Sequence, residues 1–507
     1  MKESMVRENT FGVLLHPLSI PGRWGNGVMD AKARAFIDWL ADAGARIWQV
    51  LPLGPTGYGD SPYQSLSAFA GNPYLIDPEK LFSAGWLPTE EPPAFPLDRI
   101  DYGGVYEWRW PFLRRAYKGF LKHASAAEHK ELNSFRAHSA IWTEEYALYL
   151  ALKENFSGQA WFDWPDPYKR RDGQALAEAR KEFSEAMDFY VWTQWVFARQ
   201  WRQLRSYAKK RAVSIIGDMP IFVAYDSADV WAHPEYFLLD EALKPTVVAG
   251  VPPDYFSQTG QRWGNPLYRW EQLQAEGFTW WIERVQTLLL LCDQVRIDHF
   301  RGLEACWQIP ADQPTAVNGR WVKAPGEALL QAMQKTFGTL PIIAEDLGVI
   351  TPDVEALRDR FNLPGMKVLQ FAFGGDLKNP FLPHNYPHHC NSLVYTGTHD
   401  NDTTLGWYRS IKENERAFLH EYLKRYHLSI KQDLDVPWVL LTLALRSRAL
   451  QAIAPLQDLL GLGTEARMNF PSHLEGNWAW RYSEGALDVN LAKRLNALIA
   501  ATHRAGL

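Results

Sequence analysis

The sequence predicts an α/β chain folded as a (β/α)8 TIM barrel, with large, mostly helical and loop insertions on its C-terminal face. Three observations support this: eight short apolar runs, helical stretches before most of them, and acidic residues at several run ends. The first four runs are Phe11–His16, Ile47–Leu53, Val213–Val223 and Gln294–Phe300. The later four are Leu340–Leu347, Met366–Phe373, Ser392–His399 and Ala454–Leu460. Near-continuous apolar runs of this length read as strands covered on both faces, the environment of a parallel sheet. Amphipathic stretches precede five of them, at Ala31–Ala43, Tyr190–Arg211, Trp280–Leu291, Ala328–Phe337 and Pro352–Phe361. A doubly wound open sheet is the second choice, because no Gly-rich nucleotide loop follows any run.

The runs are unevenly spaced, and the gaps locate the insertions. About 160 residues separate the second run from the third, far more than a crossover helix needs. Residues Asp101–Lys122, Glu128–Phe156 and Asp172–Glu182 in this gap are helical by period and composition. The expected organisation is one catalytic barrel over 1–507. It is interrupted by a largely helical insertion at 56–200, a loop-rich one at 224–278 and a short one at 304–326.

Composition excludes several classes. A net charge of −5 argues against a general nucleic-acid binder and gives no reason to invoke an anionic membrane surface. Every apolar run stops well short of about 20 residues, so no membrane span is expected. The charged start Met1–Glu8 lacks the apolar core of a secretory signal, which predicts a cytoplasmic protein. Cys292 and Cys306 flank one predicted strand, too far apart for a disulfide. The His388-His389-Cys390 cluster lacks a second ligand pair at zinc spacing. Aromatics are abundant (23 Trp, 21 Tyr, 25 Phe); most belong in a core, leaving a minority for stacking on sugar rings.

Four carboxylates, Asp218, Asp298, Glu345 and Asp400, fall at the C-terminal ends of separate strands, where barrel enzymes carry their chemistry. Any one alone reads as a helix cap; four together read as a site. Arg296 and Asp298, two apart on a strand, project to one side, so the guanidinium would favour an ionised, nucleophilic Asp298. Glu345 follows the apolar stretch Pro341–Ala344, where burial beside Asp298 would raise its pKa as an acid catalyst needs. Asp400, with His399 beside it, remains to hold hydroxyls of a distorted sugar. A metal reading of His399, Asp400 and Asp402 competes, but no metal and no cofactor are expected. No G-x-S-x-G elbow supports an esterase.

Longer strings resemble one branch of the α-amylase superfamily, the 4-α-glucanotransferases of glycoside hydrolase family 77. They include LPLGPTGYGDSPYQSLSAFAGNPYLID (51–77), IIGDMPIFVAYDSADVWAHPEYF (215–237), GVPPDYFSQTGQRWGNPLYRW (250–270) and VRIDHFRGLEACWQIP (295–310). IIAEDLGVITPDVEALRDRFNLPGMKVLQFAF (342–373), VYTGTHDNDTTLGWY (394–408) and GNWAWR (476–481) continue the likeness over nearly the whole chain. The resemblance implies Asp298 as nucleophile, Glu345 as general acid/base and Asp400 as transition-state stabiliser. It implies substrate-binding roles for Arg296, His399, Asp218, Tyr58, Trp263 and Asn469, with Asn477 as a further polar contact. The implied partners are α-1,4-glucans, and the expected assembly is a monomer or weak homo-oligomer. An amylase-type retaining hydrolase is the alternative, because the carboxylates alone do not separate transfer from hydrolysis.

Overall fold

A computed structural model describes residues 9–253, 257–471, 473 and 475–504, the Tyr58 side chain excepted. In chain order its strands are β1 (Thr10–Leu14), β2 (Ile47–Gln49), β3 (Ser214–Pro220), β4 (Val247–Val251), β5 (Gln261–Pro266) and β6 (Gln294–Asp298). The remainder are β7 (Ala305–Pro310), β8 (Arg320–Lys323), β9 (Ile342–Ala344), β10 (Gly365–Val368), β11 (Cys390–Tyr395) and β12 (Ala449–Pro455).

Eight of them form one parallel sheet in the order β10-β11-β12-β1-β2-β3-β6-β9. Its two ends meet, and the Ala344 N–H donates to the Pro364 carbonyl at 2.8 Å across the gap. Asp346 reinforces that seam: its carboxylate accepts from the Met366 N–H at 2.6 Å and pairs with Arg358. The barrel wall is covered from outside by helices with one apolar stripe. Helix Ala31–Asp42 starts on Asp30, whose carboxylate accepts from the Lys32 and Ala33 N–H groups, and buries Phe36, Ile37 and Leu40. Trp48 of β2 meets Phe36 edge-on at 5.1 Å.

Between β2 and β3 lie three long helices, Tyr102–His123, Ala126–Asn155 and Ser184–Lys210. They absorb much of the aromatic content: Trp86 contacts Phe120, Trp192 and Trp195 at 5.0, 5.8 and 5.9 Å. The loop-rich reading of 224–278 needs correction. This segment contributes β4 and β5, which join β7 and β8 from beyond β6 in an antiparallel sheet ordered β5-β4-β7-β8. The segments read as two loop insertions therefore pair into one rim sheet. β5 and β8 are short and rich in polar, Gly and Pro residues (QRWGNP, RWVK), so their pairing arises from tertiary contact rather than local pattern.

Two strand ends move furthest from the expected runs. The eighth strand is Ala449–Pro455, and Leu456–Leu459 is a short helix, because proline ends the ladder and opens the turn. The sixth stops at Val368, before a 3-10 turn at Leu369–Phe371. All three cysteines are free and buried. No helix among the described residues is long and apolar enough to cross a membrane.

Replacing Asp346 by Ala strands the Met366 N–H and the Arg358 guanidinium at the closing seam. The expected cost is about 3 kcal/mol in urea unfolding. A change below about 1 kcal/mol would show that the seam does not depend on this carboxylate.

Candidate active site

The four acidic strand ends converge at the C-terminal mouth of the barrel. Register explains the convergence: Asp218 of β3 pairs with Arg296 of β6, and Ile297 pairs with Ala344, which sets Asp298 beside Glu345.

Arg296 is the hub, with its side chain only 3% exposed. Its Nε donates to Asp218 Oδ1 at 3.0 Å and its Nη2 to Asp218 Oδ2 at 2.5 Å, a two-point grip that fixes the guanidinium plane. The same Nη2 reaches Asp298 Oδ1 at 3.1 Å and the Tyr63 hydroxyl oxygen at 3.2 Å. Tyr63 in turn donates to Asp218 Oδ2 at 2.6 Å. Asp218 is fully buried, so it meets protein groups only, whereas the Asp298 carboxylate is 31% exposed to the cleft.

Glu345 follows β9 directly. Its Oε2 accepts from the His299 backbone N–H at 2.8 Å. His299 adopts a left-handed conformation, φ 55°, unusual for a side-chain-bearing residue, and that conformation goes with its amide bonding the acid. The His299 ring is met edge-on by Trp263 of β5 at 4.8 Å, which brings the rim sheet against the acid.

On the opposite side, Asp400 is 48% exposed, with His399 Nε2 at 3.3 Å from its Oδ1. Asn469 donates to the same Oδ1 at 2.6 Å, and Arg467 donates to the Asp400 carbonyl at 2.6 Å. Tyr63 stacks on His399 at 5.1 Å and 12°, and Trp478 packs against both rings. Asn477 braces this loop, accepting from the Phe470 N–H and donating to the His473 carbonyl, both at 2.8 Å. Asp402 turns away to Thr464 Oγ1 at 2.8 Å, and no group of three metal-binding side chains occurs among the described residues.

Burial pushes the Asp298 carboxyl up, to about 7; Arg296 opposes this, while Asp218 and Asp400 add to it. Arg296 favours the ionised Asp298, as the two-residue spacing implies, but burial outweighs it. Burial and then Asp298 push Glu345 up further, to about 8, against Arg296 and the His299 N–H. No guanidinium hydrogen bond reaches Glu345, so it keeps the proton that Asp298 gives up. Burial lowers His399, which is therefore neutral at pH 7.

Asp218, Arg296, Asp298, Glu345, His399, Asp400 and Asn469 thus stand together, with Trp263 at the rim beside His299. The Tyr58 side chain lies outside the described residues. Sequence reasoning missed Tyr63, Arg467, Trp478 and the His299 amide. Tyr63 sits in the matching string 51–77, five residues past Tyr58, and that string was its available signal.

A family model described as 4-alpha-glucanotransferase matches residues 15–488. The chain belongs to that family. It is 58% identical over 494 residues to a 4-alpha-glucanotransferase of Thermus thermophilus, covering 97% of this chain and 99% of that one. A chloroplastic/amyloplastic relative from Solanum tuberosum is 44% identical over 96% of this chain and 85% of its own. The solved amylomaltase of Streptococcus agalactiae in complex with acarbose superposes with a TM-score of 0.92 at 37% identity, covering 98% and 99% of the two chains.

The pH profile of kcat/KM should be a narrow bell: activity falls on the acid side as Asp298 gains a proton and on the alkaline side as Glu345 loses one. Asp218→Asn removes a negative charge that raises Asp298 and releases Arg296 toward it. The acid limb should therefore move to lower pH, with a reduced maximum. An acid limb that stays put or moves up would contradict the shared-guanidinium account.

Proposed function

We propose that this member of the 4-α-glucanotransferase family transfers α-1,4-glucan segments by a retaining double displacement, with Asp298 as nucleophile and Glu345 as acid/base. The observation that carries this reading is the pair of neighbouring strand-end carboxyls. One is bonded to a buried arginine; the other accepts from a backbone N–H and has no arginine partner.

In the first step Glu345 donates its proton to the glycosidic oxygen while an Asp298 oxygen forms a bond to the anomeric carbon. The C–O bond to the leaving glucan breaks, and the glycosyl unit stays on Asp298. In the second step ionised Glu345 takes the proton from the 4-hydroxyl of an acceptor glucan, whose oxygen displaces Asp298 with net retention. Transfer within one chain by the same steps gives a cyclic product. Asp400, held by Asn469, accepts from hydroxyls of the distorted sugar, and neutral His399 supports it as a donor. Asp218 acts through Arg296 and Tyr63 rather than by touching the glucan.

Transfer requires that an acceptor outcompete water at the second step. The rim sheet, with Trp263 against His299, supplies an aromatic wall next to Glu345 where an acceptor ring would rest. The substrates are maltooligosaccharides and fragments of starch or glycogen, and the three free, buried cysteines suit a reducing cytoplasm.

Incubation with maltotriose should yield a ladder of longer glucans together with glucose; glucose and maltose alone would indicate a hydrolase instead. Asp298→Ala should lower turnover by at least about 10⁴-fold while glucan binding persists. Turnover near the native rate would remove Asp298 from the nucleophile role.

A further inference from the structure

Asp458 is a buried acid that takes no part in the chemistry described above. It lies in the short helix Leu456–Leu459 that follows β12 and is 2% exposed. Its Oδ2 accepts from the hydroxyls of Thr396 at 2.5 Å and Thr404 at 2.6 Å, and its Oδ1 accepts from the Thr404 N–H at 2.7 Å. Both threonines are fully buried. None of these three donors is charged. A carboxylate held out of water by neutral partners is costly, so an apolar side chain would serve packing alone better.

Thr396 directly follows β11, and Thr404 opens the helix Thr404–Ser410. Residues 397–403 between them form the loop that carries His399 and Asp400. Asp458 therefore grips both feet of that loop. A segment whose two ends bond one group has their separation fixed and fewer conformations left.

The same stretch of chain braces the loop further along. Thr464 donates to the Asp402 carboxylate at 2.8 Å, Arg467 to the Asp400 carbonyl at 2.6 Å, and the Asn469 N–H to the His399 carbonyl at 3.2 Å. From the other side Gln370 Nε2 donates to the Asp402 carbonyl at 2.9 Å. It passes so close to Gly397 that a Cβ there would lie 2.5 Å from it. The Asp400 carboxylate itself is 48% exposed, and water competes for its hydrogen bonds. Its aim into the cleft is therefore set by the backbone beneath it, and Asp458 fixes where that backbone begins and ends.

We propose that Asp458 is a positioning residue for glucan transfer, clamping both feet of the 397–403 loop so that Asp400 meets the distorted sugar. This rests on the role given to Asp400 above, and the test separates the two. Kinetics are followed with α-maltosyl fluoride as donor and maltose as acceptor. Asp458→Leu removes all three bonds at similar side-chain size, and Thr396→Val releases one foot while removing the hydroxyl that would be left unpaired. Each is made in the native chain and in an Asp400→Asn background, with urea midpoints alongside. If Asp458→Leu does not fold, Thr396→Val decides.

Asp458→Leu should lower kcat about 10- to 100-fold and Thr396→Val about 3- to 10-fold, with KM changing less than about 3-fold. In the Asp400→Asn background each should cost under about 2-fold, because the group being positioned is already gone. Losses by the same factor in both backgrounds, or a lowered urea midpoint with kcat unchanged, would overturn the proposal and leave Asp458 as a structural acid. If Asp400→Asn alone keeps the native kcat, the role given to Asp400 fails and the proposal falls with it.

Discussion

Everything at the barrel mouth is arranged around one buried cation. Removing the Arg296 guanidinium from water is costly unless anions surround it, and Asp218 supplies the first with two hydrogen bonds. That grip fixes the plane and leaves one N–H edge facing Asp298 and Tyr63. The position of Asp298, the aromatic stack on His399 and the loop carrying Trp478 therefore depend on a pairing between β3 and β6. Segments from three distant parts of the sequence, around residues 63, 218 and 296, meet at this single group.

The division of that charge also decides where the protons sit. Asp298 receives a minor share of Arg296, enough to ionise before its neighbour but not enough to escape the burial that raises it. Glu345 receives a backbone N–H and the repulsion of Asp298, and holds its proton longer. Two carboxyls of similar chemistry thus meet different partners at the strand ends they occupy. The left-handed His299 backbone contributes by pointing an amide at the acid, while its ring links that acid to the rim sheet.

Much of this was legible in the sequence because barrel strands announce themselves as apolar runs and their acids as abrupt stops. The side-by-side placement of Arg296 and Asp298 follows from a period of two, and Glu345 from its position after Ile342–Ala344. The rim sheet was not legible: β5 and β8 carry neither alternation nor continuous hydrophobicity, and the two insertions are joined only where β4 pairs with β7. β12 was misplaced because Ala449–Pro455 is rich in alanine and carries Gln451, while the more apolar Leu456–Leu460 beyond it turns into helix. Tyr63 and the His299 amide were invisible for another reason: their roles come from a hydroxyl and a backbone N–H placed by folding. The sharing of Arg296 between two aspartates likewise needed the geometry, since the spacing of two pairs it with Asp298 and says nothing of Asp218.

The proposed double displacement requires that Asp298 become covalently glycosylated with Glu345 as its proton partner. It is tested most directly by mass spectrometry of a Glu345→Gln variant mixed with α-maltosyl fluoride. Fluoride departs without a proton donor, and the missing base slows the second step, so the intermediate should accumulate. A maltosyl adduct should appear on the peptide containing Asp298. An adduct on Asp218 or Asp400, or none while the variant still consumes the fluoride, would contradict it.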